Sequence, residues 1–547
     1  MKYLLFCFYL ILSLIGSAQN YIVDQYVYGG DWSDQPVKII QANNNLFVLF
    51  VLGSGNGSGN LNFDAIECGG FSTLVLCLDE AGNNLWQSVL CGNSGDTPTD
   101  MIDVGDGIVI CMSSSSSPGT GNKTSELFTN QQFPFTDYWI VKIDYDGNII
   151  WQKSFGSFQS DFPKSLTLTS EGKILITGYS AITDGGFTVN TSGNKTAPNK
   201  GLTDLWIILI DENGNEIWQK TFGINDPNQS HLSIFGGEVL PNGNFLIFGR
   251  SSFLGISGDK SIESFGANGW LICLDEDGNK LWDKIYGGNP GENINGGVLV
   301  NDNRIFLFLE SYSGISGNRT VEIKGMQDIL IYKLDLNGNI LEQTCFGTEG
   351  NNEFYSAYLH QDKILLCARP DSDLPSIDKT EPSRGGMDYW IISFDKETLE
   401  LVNEKTYGGT GQDLIRSVVF FNEHLYITGF SGSGIGGDKT VPNFGLGNAW
   451  ILKINPTQLL YKEEHFLFET TIYPNPTTSQ INITFNEATQ LKKAFLHDVS
   501  GKVVLEQTFD NNFENVYAFN LSGFASGIYT LRLEGDGFVV TRQVVVD

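Results

Sequence analysis

A phrase of about twenty residues recurs along the chain and constrains its fold more than any other feature. Residues 137–156 read DYWIVKIDYDGNIIWQKSFG, and residues 204–223 read DLWIILIDENGNEIWQKTFG. A repeat this long and regular is typical of supersecondary units that bury their apolar faces against one another. The copies are spaced by 65, 67, 65, 59, 60 and 60 residues, and they begin at Ser72, Asp137, Asp204, Gly269, Asp328, Asp388 and, in truncated form, Asn448.

Each copy predicts four short strands. In the second copy, the runs YWIVKI, NIIWQKSF, SLTLT and KILITGYS are separated by turns that contain Gly, Asn and Asp. A four-stranded antiparallel unit with a period of about 60 residues is the pattern of a β-propeller, in which neighbouring blades bury each other's faces. Trp86, Trp151, Trp218 and Trp282 are expected to pack between blades.

The two ends of the repeat region complete one blade between them. Residues 20–30 (NYIVDQYVYGG) look like a second strand without a first, and residues 448–455 (NAWILKIN) are a first strand. We therefore predict an all-β fold, a seven-bladed β-propeller of four-stranded blades that is closed by strand exchange between the ends. Residues 458–466 (QLLYKEEHF) are either another second strand or a linker.

Two classes of loop should share one face of this propeller. The loops that join one blade to the next carry GNKT, SGDKS, SGNRT or GGDKT, and those that join the second strand to the third often place an acidic residue five positions past a Gly. These residues either form rings of charge that bind a cation, such as calcium, or a glycan at the axis, or they cap turns and pair between blades. Glu353 lies one position later than the others, and the metal candidates are Asp34, Asp161, Glu292 and Asp413.

No copy carries a recognisable catalytic motif. The chain lacks HExxH, GxSxG and P-loop sequences, and no Cys and His are paired at a catalytic spacing. We therefore expect a non-catalytic binding module without a cofactor. The alternative is a secreted polysaccharide-degrading enzyme with carboxylates at the axis, which a carboxylate pair with one strongly raised pKa would favour.

Charge and cysteine content narrow the partners. The net charge is 33 − 63 = −30, which argues against binding nucleic acid or anionic membranes. Without Cys7, an odd number of cysteines remains, and we expect them to be small buried side chains. Because no CxxC occurs, a zinc site of the usual spacing is not expected.

The N-terminus has the features of a secretory signal peptide. Lys2 precedes an apolar run that ends in Gly16, Ser17 and Ala18, so cleavage is expected after Ala18. No later apolar run approaches the length of a membrane span, and we do not expect an integral membrane protein.

Composition changes at about Glu469 and predicts a second domain. About seven short strands fit a small immunoglobulin-like β-sandwich. The domains are then a signal peptide at 1–18, the β-propeller at 19–466 and the tail at 467–547.

The tail carries three motifs, YPNP, DVSGKVV and LSGFASGIYTLRL. In order and spacing they resemble the type A C-terminal sorting domain of Bacteroidota type IX secretion cargo. The repeats are similar to the uncharacterised propellers that are joined to such tails. The positions that carry the sorting motifs are Tyr473, Pro474, Asn475, Pro476, Gly501, Gly527 and Tyr529.

This resemblance implies a route and partners. The type IX translocon would recognise the tail at the outer membrane, and a sortase would remove it, leaving the protein on the cell surface or released. It implies no activity for the repeats, which we expect to bind a glycan or a protein through the loop-bearing face.

Overall fold

A computed structural model describes residues 21–547 except 56, 64–66, 129–134, 183–190, 227–230, 290, 461–469, 500–501, 510–513 and 536–537. The predicted signal peptide lies outside the described residues. Within them the fold is all-β apart from one short helix, α1, at Thr457–Leu460. In this part of the chain no helix has the length and hydropathy that a membrane crossing requires.

The chain falls into two compact units. One comprises the described residues of Met1–Tyr358, Leu366–Ile391 and Thr406–Pro456, and the other comprises those of Leu359–Leu365, Ile392–Lys405 and Thr457–Asp547.

The repeats form four-stranded antiparallel sheets, whose strands we letter a to d in pairing order. The first strand of the chain, β1 (Ile22–Tyr28), belongs to the last of these sheets. Sheet 1 contains β2 (Gln35–Ala42), β3 (Asn45–Leu52), β4 (Ser72–Leu78) and β5 (Asn84–Leu90). Sheet 2 contains β6 (Asp96–Asp103), β7 (Ile108–Ser114), β8 (Asp137–Ile143) and β9 (Ile149–Phe155). Sheet 3 contains β10 (Ser160–Leu168), β11 (Ile174–Ala181), β12 (Thr203–Ile210) and β13 (Glu216–Phe222).

The remaining sheets of the repeat region follow the same order. Sheet 4 contains β14 (Leu232–Val239), β15 (Phe245–Ser251), β16 (Asn268–Leu274) and β17 (Lys280–Tyr286). Sheet 5 contains β18 (Glu292–Asn301), β19 (Arg304–Ser311), β20 (Asp328–Leu334) and β21 (Ile340–Phe346). Sheet 6 contains β22 (Asn352–His360), β23 (Lys363–Pro370), β24 (Tyr389–Asp395) and β25 (Leu401–Tyr407). Sheet 7 contains β26 (Asp413–Phe421), β27 (His424–Ser431), β28 (Asn448–Ile454) and β1.

The sheets are offset from the sequence repeat by two strands. Each sheet pairs the third and fourth strands of one copy with the first and second strands of the next copy. The prediction that the GNKT-type loops connect blades is therefore wrong: they join strands b and c within a sheet, and the Gly-acidic loops join strand d to strand a of the next sheet. Because antiparallel strands alternate in direction, both classes still lie at the same edge of the sheets, which we call the loop edge.

The two ends of the repeat region pair as predicted. Strand β1 runs antiparallel to β28, with Val27 opposite Trp450 and Tyr28 opposite Ala449. Residues 458–460 belong to α1 and not to a further strand of sheet 7. Residues 461–466 lie outside the described part.

Apolar side chains fill the spaces between neighbouring sheets. Phe47 and Val75 of sheet 1 cluster with Ile110 and Trp139 of sheet 2, and comparable clusters join sheets 7 and 1 and sheets 2 to 5. Phe308 stacks on Phe354 between sheets 5 and 6. Tyr389 packs on Trp450 between sheets 6 and 7, so each sheet contacts the next and sheet 7 contacts sheet 1. Burial on both faces explains why the c strands are apolar without alternation.

The predicted packing of the tryptophans is confirmed. Trp218, on strand d of sheet 3, donates its indole N–H to the carbonyl of Glu276 in sheet 4 at 2.9 Å. A Cβ built on Gly278, in the same turn, would lie 3.1 Å from the Trp218 ring. The same arrangement pairs Trp86 with Gly147 and Trp151 with Gly214. A large flat side chain and a glycine turn thus join adjacent sheets.

The cysteines divide into two groups. Cys68 and Cys91 form a disulfide, which differs from the expectation that the cysteines are simply small buried side chains. That expectation holds for the five described free cysteines, which are all buried, and they are Cys77, Cys111, Cys273, Cys345 and Cys367.

The C-terminal part contains two further sheets. The first consists of β29 (Thr471–Tyr473), β30 (Gln480–Thr489) and β33 (Glu514–Asn520). The second consists of β31 (Leu491–His497), β32 (Val503–Thr508), β34 (Gly527–Gly535) and β35 (Phe538–Val546). Ile481 and Phe519 from one sheet share a buried core with Leu496, Leu531 and Val544 from the other.

Candidate functional site

The four predicted metal candidates are buried where each strand a begins, and they accept hydrogen bonds from neighbouring loops. Each accepts a hydrogen bond at 2.7 Å from the backbone N–H four residues earlier. The Asp34 carboxylate also accepts the N–H groups of Gly53 and Ser54, both at 2.9 Å. Asp34, Asp161, Glu292 and Asp413 lie in four different sheets, so each ties together the loop edge of its own sheet.

Two equivalent positions escaped the sequence analysis. Asp96 makes the same 2.7 Å contact with the N–H of Gly92, but the preceding strand ends without the glycine used as a marker. Asn352, and not Glu353, occupies the position in sheet 6, where it accepts the Thr348 hydroxyl. Glu353 instead pairs with Arg369. Both lie six residues after the last residue of the preceding d strand, so a count from the strand end would have found them without the glycine.

At four of the described junctions between sheets, a residue at the start of strand c faces one of these side chains. At the junction of sheets 7 and 1, Asn448 donates its Nδ2 to the carbonyl of Gly30 at 2.9 Å and approaches Asp34 at 3.4 Å. At the junction of sheets 5 and 6 the roles reverse, and Asn352 Nδ2 donates to Asp328 at 3.1 Å. One amide donor therefore serves one carboxylate.

Two junctions contain two acids and no amide. Asp137 faces Asp161, and Asp388 faces Asp413; each has one carboxylate oxygen that is buried without a hydrogen-bond partner. Burial, together with the Asp413 charge, raises the pKa of Asp388 to about 7. Burial also raises the pKa of Asp137 well above its usual value, and the Asp161 charge adds to this.

The lysines of the GNKT-type loops are buried, which fits the reading in which the charged loop residues support turns. Lys123, Lys260 and Lys439 of the GNKT-type loops are buried, and Lys439 donates to the Ser431 hydroxyl at 2.7 Å. Lys123 lies 4.8 Å from the centre of the Trp139 ring. Burial lowers the pKa of each of these lysines to about 8. These lysines therefore hold their loops in place through buried contacts.

The loop edge instead presents large apolar side chains to solvent. Trp32 is 63% exposed, Leu374 is 71% exposed and Leu446 is 72% exposed. The opposite edge is built from DxxGN turns, in which Asp144 accepts the N–H of Asn148 at 2.8 Å. The exposed large apolar side chains of the loop edge are Trp32, Phe71, Phe158, Leu254, Ile256, Ile262, Phe265, Tyr312, Ile315, Met326, Leu374, Ile377, Ile435, Phe444 and Leu446.

A second group of charged side chains lies on the a strands of sheets 1 to 4, and we call it the a-strand cluster: Lys38, Asp100, Lys164 and Glu238. Lys38 Nζ lies 2.6 Å from Asp100 Oδ1, and Asp100 Oδ2 accepts the backbone N–H of Leu166 at 2.8 Å. Burial raises the pKa of Glu238 to about 7; Lys38 opposes the shift and Asp100 adds to it. Sequence gave no sign of this cluster because bulges shift the register of several a strands.

Neither group forms a recognisable metal centre. Across the described residues, no three or more His, Cys, Asp or Glu side chains come together in a way that could hold a metal ion. A calcium site at the acidic residues of the loop edge stays a prediction.

The sorting motif is exposed and tied to the last strand. Asn475 donates to the carbonyl of Gln543 at 2.9 Å and accepts the N–H of Val545 at 2.8 Å. Tyr473 is half-exposed, and Pro474 and Pro476 are exposed. Gly527 begins β34, and the Tyr529 hydroxyl donates to the carbonyl of Ala525 at 2.9 Å. Gly501 lies outside the described residues.

Similar structures and relatives are distant. Over 58% of this chain, 20% of residues are identical to the regulatory protein FlaEY of Caulobacter vibrioides, and the match spans 35% of that protein, about a third of its length. The polysaccharide lyase Uly1 shares 9% identity over 78% of this chain and 90% of its own, with a TM-score of 0.42. The Pan2 WD40 domain of Neurospora crassa shares 9% identity over 79% of this chain and 91% of its own, with a TM-score of 0.37.

The C-terminal part has a clear family match. Residues 471–547 match the family described as the secretion system C-terminal sorting domain. This confirms the resemblance that the YPNP and GIYTLRL motifs indicated, and it implies secretion to the cell surface or beyond. Residues 471–547 are therefore a C-terminal sorting domain of the kind that type IX secretion cargo carries, and they follow a repeat region of four-stranded antiparallel sheets.

Proposed function

We propose that this protein is a secreted binding module whose repeat region recognises a glycan or a protein through the loop edge. In this proposal sheets 1 to 7 are the blades of one seven-bladed ring, and the tail is an immunoglobulin-like sandwich that a type IX translocon recognises and a sortase removes. The pairing of β1 with β28 supports the closed ring.

The observation that carries the binding proposal is the set of large apolar side chains exposed at the loop edge, in the loops of several sheets. Exposed apolar surface that a partner can cover marks interaction sites in soluble proteins. Trp32, Phe71 and Phe158 offer flat faces, and aromatic side chains of this kind contribute strongly to interfaces. Buried lysines and acids hydrogen-bond to the loops that carry these side chains, and we expect these bonds to preorganise the surface for binding.

Glycan and protein screening of the mature chain tests this proposal. We expect a specific partner whose affinity falls at least about tenfold in the double variant Trp32→Ala with Leu446→Ala, since each truncation removes a contact worth about 1 kcal/mol or more. Ile150→Ala is a matched control, because Ile150 is 51% exposed on strand d of sheet 2, away from the loop edge. Equal losses in the control and in the double variant would contradict a loop-edge site.

The a-strand cluster favours a second candidate function, a polysaccharide-degrading enzyme. Two carboxyl groups that influence each other, one of them with a pKa of about 7, are the elements of acid-base catalysis on glycosides. Product analysis on each glycan that binds separates the two functions. Fragmented glycan that disappears in Glu238→Gln would support the enzyme, and binding without turnover would support the binding module.

A further inference from the structure

Sheet 4 departs from the other six sheets of the repeat region at the start of its strand a. In those six sheets an Asp, Glu or Asn stands six residues after the end of the preceding strand d. In sheet 4 the interval is ten residues, from Phe222 to Leu232, and Leu232 pairs with Ser251 at the end of strand b. The same place in sheet 2 is held by Asp96, which pairs with Ser114. Sheet 4 therefore replaces the acid with Leu232 and has a connection that is longer by four residues.

This connection brings a serine, a histidine and an aspartate together. Asp226 lies within it, His231 directly precedes β14, and Ser252 directly follows β15. His231 Nε2 lies 2.9 Å from Asp226 Oδ2, and His231 Nδ1 lies 3.2 Å from Ser252 Oγ. The Phe253 ring packs edge-on against the imidazole, with ring centres 5.2 Å apart. The imidazole is thus held between a carboxylate and a hydroxyl.

These contacts decide where the protons lie. A carboxylate accepts hydrogen bonds and does not donate them, so in the neutral ring Nε2 carries the proton and Nδ1 is the acceptor. The Ser252 hydroxyl then donates to Nδ1. A carboxylate, an imidazole and a hydroxyl in this order activate a serine as a nucleophile, because the imidazole takes the hydroxyl proton when the oxygen attacks.

The equivalent serine of sheet 2 lacks this imidazole contact. Ser115 directly follows strand b of sheet 2, as Ser252 does in sheet 4. Both hydroxyls lie 3.4 Å from the backbone carbonyl of the residue before strand a, which is Gly95 or His231. Ser115 Oγ then lies 2.9 Å from the Ser94 hydroxyl, where Ser252 Oγ has the imidazole. The backbone contact is therefore shared by the two sheets, and the base is a feature of sheet 4.

Solvent and apolar surface both reach this group. The side chains of His231 and Asp226 are 11% and 23% exposed, and Ser252 is partly exposed. Leu254 and Ile256, in the loop that Ser252 begins, are large exposed apolar side chains. An activated serine attacks a carbonyl carbon, and an apolar acyl chain on that carbon suits such a surface.

We propose that Ser252, His231 and Asp226 form a hydrolytic site for carboxylic esters with an apolar acyl chain. Ser252 Oγ forms a bond to the carbonyl carbon while its proton passes to His231 Nδ1; the ester C–O bond breaks, and the alcohol leaves with that proton. Water then gives a proton to His231 and attacks the acyl-serine, the acid is released, and Ser252 regains its proton. Asp226 orients the ring. The inference goes beyond the proposed binding, which stands with or without this reaction.

Hydrolysis of p-nitrophenyl butyrate by the mature full-length chain tests the site. We expect saturable release of nitrophenolate that falls at least about a hundredfold in Ser252→Ala and in His231→Ala. Asp226→Asn should lower kcat at least about tenfold and leave KM unchanged, because Asp226 acts through the imidazole and does not touch the ester. Ser115→Ala is the matched control and should hydrolyse the ester like the parent.

Two further measurements distinguish catalysis from a loss of folded protein. A fluorophosphonate should form a bond between its phosphorus and Ser252 Oγ as fluoride leaves, and mass spectrometry should find this label in the parent and not in Ser252→Ala. Added imidazole should restore part of the activity of His231→Ala and none of the activity of Ser252→Ala. Absence of saturable hydrolysis, hydrolysis that persists in Ser252→Ala, or an equal loss in Ser115→Ala would overturn the inference, and partner binding measured on the same samples tests the proposed function separately.

Discussion

The junction of sheets 7 and 1 has an amide nitrogen, from Asn448, where the junction of sheets 6 and 7 has a carboxylate oxygen, from Asp388. Asn448 places an amide nitrogen between the Gly30 carbonyl and Asp34, while the equivalent residue Asp388 has only oxygens to offer to Asp413. Buried oxygens without a donor cost free energy, and the pKa of Asp388 rises to about 7 because burial and the Asp413 charge disfavour its ionised form. Arg384 and Lys379 oppose this rise without cancelling it. Protonation of Asp388 therefore removes the repulsion between the two carboxylates.

We expect Asp388→Asn to stabilise the protein above pH 7, by about 1–2 kcal/mol, because it supplies a permanent donor. The folded state of the parent binds a proton that the unfolded state releases between about pH 4 and pH 7, so this group's contribution to stability falls as pH rises through that window. Chemical denaturation at pH 5 and pH 8 should show a gain for the variant at pH 8 and little change at pH 5.

The reverse substitution Asn448→Asp is the control. It creates a second acid beside Asp34 and should destabilise the protein at pH 8 by a similar amount. A loss of stability in Asp388→Asn at pH 8 would contradict the view that this junction lacks a donor.

Sequence located these residues but not their role. The glycine spacing identified Asp34, Asp161, Glu292 and Asp413 as equivalent, and it also raised the reading in which such residues cap turns and pair between blades. It could not show that the side chains turn inward, because a carboxylate that caps a loop and one that faces a ligand occupy the same place in the repeat. The partner residue lies 24 or 25 positions away, at Asp137 for Asp161 and at Asp388 for Asp413.

Neighbouring sheets are joined by a tryptophan on one strand d and a glycine in the next turn. Gly278 has a φ of +75° and meets the Trp218 ring, whereas Gly172 has a φ of +81° and meets no atom within 4 Å. Both positions need a positive φ, but only Gly278 also lacks room for a Cβ. Comparing them therefore separates the effect of backbone conformation from the effect of packing.

Gly172→Ala should cost about 1–2 kcal/mol, the usual penalty for an alanine in the left-handed region. Gly278→Ala should cost at least about 1 kcal/mol more, because Trp218 and Lys220 must also move. Unfolding of both variants in urea measures the difference. Equal losses of unfolding free energy in the two variants would mean that contact between the Gly278 turn and Trp218 does not contribute to stability.

At this scale much of the fold could be predicted. The apolar runs, the turn residues and the period gave four strands for each copy, and the alternation of strand direction placed both loop classes at one edge. Which four consecutive strands form one sheet could not be predicted, because the same four strands recur in the same order along the whole repeat. Only the two ends, where a strand lacks its neighbour, carry that information.

The ends of the repeat region decide whether the cycle of sheets closes. Gln25 of β1 donates to the carbonyl of Asp438 at 2.7 Å and accepts the N–H of Thr440 and the indole N–H of Trp450. Gln152 makes the same set of bonds inside sheet 2, where its partners are close in sequence. The N-terminal strand β1 is thus strand d of sheet 7, whereas in sheets 1 to 6 strand d directly follows strand c along the chain.

Removal of residues 19–28 should therefore leave an open sheet edge at β28 and an uncovered apolar face between sheets 7 and 1. We expect the melting temperature of the truncated chain to fall by several degrees, and a synthetic peptide of residues 21–30 to restore it in proportion to the logarithm of peptide concentration. A peptide with Gln25→Leu should restore less, because the buried indole N–H of Trp450, the backbone N–H of Thr440 and the carbonyl of Asp438 lose their partner. An unchanged melting temperature in the truncated chain, or equal effects of the two peptides, would contradict the view that β1 stabilises the repeat region by pairing with β28.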